Sequence, residues 1–170
     1  TTDPQKLPAT VLSRCLQFNL KNMSPERIVK YLNYVLKEGM RIYPPVWAFA
    51  RAATENLEVG GQKIRKGQTI WIGQWMAHRD PRYFVEPEVF NPDRWASPEM
   101  EDLPKYAYLP FSGGPRGCIG ESFAMMEMVL ALAIFSRKWR FKAPADYQVT
   151  PLPSITLHPK EGIHLTVEQI

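Results

Sequence analysis

Cysteine is scarce in this chain of 170 residues: only Cys15 and Cys118 occur, separated by most of its length. That spacing excludes a disulfide-stapled secreted domain and suits a reducing, cytoplasmic compartment. Blocks of like charge are missing as well. The net charge is +4, but basic residues are scattered among acidic ones, so the chain has no nucleic-acid-binding arm. Long hydrophobic runs are also absent. The longest apolar stretch, Phe123 to Phe135, contains Glu127 and is too short to span a bilayer, which predicts a buried helix and no membrane segment. Internal repeats and low-complexity tracts are lacking, and the opening residues carry no expectation of a signal peptide. The opening Thr1-Thr2-Asp3-Pro4, without methionine, predicts the interior of something longer. Hydrophobic residues make up 45% and aromatics 12% of the chain, a composition that calls for one packed unit.

Residues 1 to 22, with Pro4 and Pro8 as breakers, predict a loop, a short turn and a strand. Ser24-Pro25-Glu26 is a helix start, with serine as N-cap, proline at the first helical position and an acid in the first turn. Ile28, Leu32, Val35, Leu36 and Met40 continue at helical spacing until Pro44-Pro45 ends the pattern. Leu57-Glu58-Val59 and Gln62-Lys63-Ile64 flank Gly60-Gly61 and predict a hairpin, with a further strand over 68–73. His78-Arg79-Asp80-Pro81 then leaves as a turn into a proline-rich meander through residue 110. Glu121 to Trp139 predicts one helix, with Met125, Met128, Val129, Leu132 and Phe135 as its core stripe. A second hairpin is predicted from 154–157 and 163–167 around Lys160-Glu161-Gly162.

The segment Phe111-Ser-Gly-Gly-Pro-Arg-Gly-Cys-Ile-Gly120 places one cysteine among four glycines just ahead of the long apolar helix. A helix N-terminus favours a thiolate, and glycine lets backbone approach a flat group closely. A zinc site needs about four N or S ligands, and none lies at metal-ligand spacing from Cys118. The Gly-Lys-Ser/Thr of a phosphate loop is absent. The remaining alternative is a small cysteine buried in a glycine-rich turn, which predicts a sulfur packed deep among aliphatic side chains.

Phe111, Gly114, Arg116, Cys118 and Gly120 match the Phe-x-x-Gly-x-Arg-x-Cys-x-Gly signature, and the chain from about residue 35 to 170 resembles the cytochrome P-450 family of heme-thiolate monooxygenases. The resemblance implies heme as cofactor, Cys118 as axial metal ligand, Arg116 at a heme propionate and Phe111 shielding the sulfur. Arg51 matches a position where the family places a second arginine against a propionate; an exposed strand arginine is the other reading. Glu38 and Arg41 resemble the family's Glu-x-x-Arg element, and Arg94 matches the third member of its buried charged triad, a structural role. His78 and Arg79 resemble a family turn, with no cofactor contact expected of His78, while His158 and His164 are expected at the surface. A small organic substrate and an electron-donor protein are the implied partners. The distal helix that handles protons in this family has no counterpart in these residues, which implies a truncated portion, inactive alone.

Thr1 to about Leu36 resembles a different family, the gamma/tau clamp-loader subunit of bacterial DNA polymerase III. Here Ser13-Arg14-Cys15 matches an element whose arginine reaches a neighbouring subunit's nucleotide, and Thr1-Thr2 a nucleotide-sensing position. The phosphate loop and metal-binding acid that such an arginine needs are absent. The expectation is therefore an α+β chain: a clamp-loader-like segment over 1–36, then over 37–170 the C-terminal, heme-proximal part of a mainly helical fold with small antiparallel hairpins. A clamp-loader fragment and an inert fusion are the competing readings.

Overall fold

The computed structural model describes residues 24–170. The loop, turn and strand expected before Ser24, with Arg14 and Cys15, lie outside the described residues.

Helix α1, Pro25–Ile42, begins where its residues dictate. Ser24 is extended and its hydroxyl accepts the Arg27 N–H, Pro25 needs no N–H partner in the first turn, and Glu26 faces the positive end of the helix dipole. The Tyr43 N–H closes the other end on the Gly39 carbonyl at 2.7 Å, and Pro44 stops propagation. The helix runs unbroken across the expected boundary at residue 36.

Eight short strands then form four separate antiparallel pairs. β1, Phe49–Ala52, pairs with β4, Thr69–Ile72, in the register Phe49↔Ile72 to Ala52↔Thr69. Between them β2, Leu57–Val59, and β3, Gln62–Ile64, make a hairpin whose Gly60 and Gly61 have φ of 56° and 77°. Two consecutive left-handed residues match the right-handed twist of the strands and favour glycine. A one-turn helix α2, Gln74–Ala77, fills the gap between the expected strand and the expected turn at His78, where the sequence reading named no element. From His78 to Gly120 no strand forms; the chain advances through turns and the 3-10 segments Pro92–Ala96, Pro98–Met100 and Gly114–Arg116.

Helix α3, Glu121–Lys138, carries Arg137 and Lys138 at its negative end. Its expected core stripe is only half-buried at Met125, Met128, Val129 and Leu132, and Phe135 is exposed. Phe123, Met126, Leu130 and Ile134 on the same helix are exposed too. The expected second hairpin is corrected. β6, Pro151–Pro153, pairs with β7, Leu157–Pro159, while β8, Thr166–Gln169, returns to β5, Trp139–Lys142, directly after α3. Gly162 does turn the chain, at φ 75°, but the strands it separates bond elsewhere. The β7 end is tied to the α1–β1 connection by the Leu157 N–H to the Pro45 carbonyl, 2.7 Å, and by the Trp47 indole N–H to the Ser154 carbonyl, 2.8 Å.

The most enclosed part of the described residues is polar. Leu32, Met40, Ile42, Phe84 and Ala107 are buried there, but so are Glu38, Arg41, Gln74, His78 and Arg94. Buried charge on this scale must be paired or it unfolds the chain.

Candidate functional site

The pairing starts on α1. Three residues apart on one helical face, Glu38 and Arg41 meet in a two-pronged contact, Arg41 Nε to Oε2 at 3.0 Å and Nη2 to Oε1 at 2.8 Å, both side chains fully buried. Arg94, held by the 3-10 segment Pro92–Ala96, donates from Nε to the same Oε1 at 3.0 Å. The Asn91 N–H and the Trp95 indole N–H complete the shell of Glu38, each at 3.0 Å. Burial by itself raises a carboxyl's pKa; here the hydrogen bonds from Arg41, Asn91 and Arg94 outweigh it and hold Glu38 below its ordinary value.

Two guanidiniums face one carboxylate, so positive charge is left over, and backbone carbonyls take it up. Arg41 donates to the carbonyls of His78, Pro87 and Val89, at 2.9, 2.6 and 3.2 Å. Arg94 donates to those of Val85, Glu86 and Val89, at 2.8, 3.3 and 3.2 Å. Several meander carbonyls thus find side-chain donors where a sheet would supply N–H groups, alongside local turn bonds such as the Val89 N–H to the Glu86 carbonyl at 3.0 Å. Phe84, fully buried, lies under the Arg41 guanidinium at 5.2 Å from the ring centre.

His78 sits beside this cluster. Its ring is fully buried, stacks at 5.1 Å on Tyr108, and its Nε2 accepts the Leu109 N–H at 2.8 Å. Burial is the main cause that lowers its pKa to about 4, with the nearby Arg41 charge adding to it. Tyr108 in turn stacks on Trp95 at 4.7 Å and donates its hydroxyl to the Lys37 carbonyl at 3.0 Å; burial and the Glu38 charge push its pKa up. Meander, α1 and the approach to the cysteine are therefore joined through three aromatic rings.

Cys118 is a free, exposed thiol at the end of the loop, not a sulfur packed among aliphatic side chains. Its N–H bonds back to the Phe111 carbonyl at 2.9 Å, which closes the loop across the glycines. Gly114 takes φ 69°, closed to most side chains, and a Cβ on Gly113 would press to 3.1 Å from the Tyr106 ring. A Cβ on Gly120, the cap of α3, would point at the Cys118 sulfur from 3.7 Å. Phe111 is half-buried, Arg116 exposed, and Ile119 fully exposed.

Arg51 on β1 reaches this loop. Its Nη2 donates to the Ser112 hydroxyl at 3.0 Å and its guanidinium covers the Phe49 ring at 4.6 Å. Ser112 itself has φ 63°, a left-handed conformation unusual outside glycine, held by its N–H on the Leu109 carbonyl at 3.0 Å. The structure thus brings Arg51, Phe111, Gly114, Arg116, Cys118 and Gly120 into one neighbourhood and Glu38, Arg41 and Arg94 into another, with His78, Tyr108 and Leu109 between. Ser112, Trp95 and Tyr108 were not singled out from sequence, and only Ser112's place inside the cysteine segment hinted at a role. His158 and His164 are exposed.

Among the described residues Cys118 is the one free thiol, and an exposed sulfur in a loop rich in glycine is chemically suited to ligate the iron of a flat group. Among the described residues no group of three or more His, Cys, Asp and Glu could hold a metal ion by itself.

The comparisons with known proteins agree with that fit. The cytochrome P-450 family model matches residues 22–166, and the chain belongs to the cytochrome P-450 family. It is 38% identical over 127 residues to cyclooctatin synthase of Streptomyces melanosporofaciens, 75% of this chain and 28% of that protein. It is 43% identical over 137 residues to the probable cytochrome P-450 4s3 of Drosophila melanogaster, 81% of this chain and again 28% of the relative. In structure it is similar to the crystal structure of a cytochrome P-450DA heme domain, with a TM-score of 0.75 and 32% identity over 82% of this chain and 30% of that one. The chain spans less than a third of the length of these relatives. Members of the family bind heme, so heme is the cofactor to which the site belongs. The match begins at residue 22 and takes in all of α1, including the part up to Leu36 assigned above to a clamp-loader-like segment. The comparisons do not show that segment. No helix among the described residues is long and apolar enough to cross a membrane.

Proposed function

We propose that the chain is the heme-proximal part of a monooxygenase that inserts one atom of O2 into a small organic substrate, with Cys118 as the axial thiolate. The observation that carries this reading is the exposed Cys118 sulfur, its backbone closed on Phe111 and its loop bonded to Arg51 through Ser112. When bound, heme supplies the oxygen chemistry, and thiolate ligation pushes electron density toward O–O cleavage. The chain's own residues do the holding. Cys118 would ligate the iron; Gly114 and Gly120 would keep the approach free of side chains; Phe111 would limit water at the sulfur; Arg51 and Arg116 would pair with the propionates. The Glu38–Arg41–Arg94 cluster fixes the meander against which the loop is built. A free, exposed thiol suits a reducing, cytoplasmic setting. Electrons come from a donor protein. Among the described residues there is no distal proton-handling helix, so on this reading the chain alone would hold heme without completing turnover.

The test is spectroscopic. The chain reconstituted with heme, reduced and exposed to carbon monoxide, is expected to show the strongly red-shifted Soret band of thiolate ligation, and Cys118→Ala to abolish it. An imidazole-like spectrum, or no binding, refutes the reading. Binding of ATP or of a sliding clamp by the heme-free chain would instead favour the clamp-loader reading of residues 1–36.

A further inference from the structure

His78 is a buried imidazole with no place in the chemistry above, and its bonds run both ways. Its backbone carbonyl accepts Arg41 at 2.9 Å and its N–H bonds to the Gln74 carbonyl at 2.8 Å, so the charged cluster and α2 pin its main chain. Its Nε2 accepts the Leu109 N–H at 2.8 Å. From Leu109 the path to the sulfur is short. The Leu109 carbonyl takes the Ser112 N–H at 3.0 Å, the Phe111 carbonyl takes the Cys118 N–H at 2.9 Å, and the Leu109 side chain lies under Gly113, 3.4 Å from where a Cβ would stand.

We propose that His78 is a positioning residue for Cys118, acting by a single acceptor bond that sets the register in which residues 109–111 enter the cysteine loop. An accepting Nε2 requires the neutral ring with its proton on Nδ1; that Nδ1 is buried and makes no hydrogen bond, while the ring lies near the backbone of Met40 and Arg41 at the end of α1. The charged groups around the ring, Arg41 on α1 and the adjacent Arg79, are both cationic and oppose a second proton. An apolar ring of similar size would fill the same space but leave the half-buried Leu109 N–H without this partner. The proposal rests on the heme-thiolate reading for its spectroscopic consequence only; the hold on the loop does not depend on it.

The test uses the full 170-residue chain, labelled with nitrogen-15, in native form and as His78→Gln and His78→Phe. At neutral pH the imidazole nitrogen shifts are expected to report the Nδ1–H tautomer; an Nε2–H tautomer overturns the proposal whatever the variants do. Hydrogen exchange at the Leu109 and Cys118 amides is expected to quicken about tenfold in His78→Phe and to stay near native in His78→Gln, with α1 amides unchanged in both. Native exchange at both amides in His78→Phe also overturns it. In the heme-loaded chain, the fraction showing the thiolate-type band is expected to fall several-fold in His78→Phe and to recover in His78→Gln. If the native chain takes up heme without that band, the reading of Cys118 fails, while the tautomer and exchange results still decide the role of His78.

Discussion

Replacing Glu38 with glutamine changes one oxygen for an amide and keeps the volume, so its effect isolates charge and donor–acceptor matching. Five donors converge on the native carboxylate: two from Arg41 and one each from Arg94, Asn91 and Trp95. In Glu38→Gln at least one meets an NH2 group, and two buried guanidiniums lose their only carboxylate partner in this cluster. Stranding buried charge in this way costs about 3–5 kcal/mol, a large part of the roughly 5–15 kcal/mol by which native domains are stable. With a urea dependence of about 2 kcal/mol per molar, the unfolding midpoint is expected to fall by about 2 M. Trp95 lies in the cluster, so its fluorescence follows the transition. A fall of less than about 0.5 M, with unchanged slope, would refute the view that this carboxylate holds the meander together. A double-mutant cycle sharpens the case: Glu38→Gln combined with Arg94→Met is expected to cost at least about 1 kcal/mol less than the two single changes summed, because the second removes a charge the first stranded.

Acid should weaken the fold through His78. Its folded pKa of about 4 lies below the ordinary 6.5, so the unfolded chain takes up the proton first. The stability it contributes is complete above pH 6.5 and drains away, by about 3 kcal/mol, as pH falls toward 4, and His78→Gln should flatten that part of the urea-midpoint profile. Gly114→Ala, at φ 69°, should cost about 1–2 kcal/mol by thermal unfolding, whereas Gly39→Ala, inside α1 with open space at its Cβ, should gain about 0.5–1 kcal/mol. Heme titration of Arg51→Leu should show weakened uptake without loss of the thiolate band, since Arg51 reaches Ser112 but not the sulfur.

What could be read in the residues was local. Ser24-Pro25 and Pro44-Pro45 bracket α1 because caps and prolines act within a turn, and Gly60-Gly61 marks its hairpin for the same reason. The β5–β8 pairing joins residues 139–142 to 166–169, and no nearby turn signals it. Pro151 and Pro153 concealed β6, since proline argues against a strand except where its missing N–H faces no partner. His78 was placed at a turn because the burial of its imidazole depends on Tyr108 and Leu109, distant in sequence. Helix α3 was expected to hide one stripe, yet its apolar residues occur on several faces, and a helix of that kind offers no single direction to bury.

Because Arg41 and Arg94 grip the meander by its carbonyls, an atom every residue owns, the path of that segment is insensitive to which side chains decorate it. Val85, Glu86 and Val89 all point outward, exposed. Shape and surface are thereby largely uncoupled: apart from Glu86, whose φ of 47° restricts its replacement, and Glu88, bonded to Arg79 at 3.1 Å, the outer face of residues 85–89 can change while the backbone beneath keeps the same course.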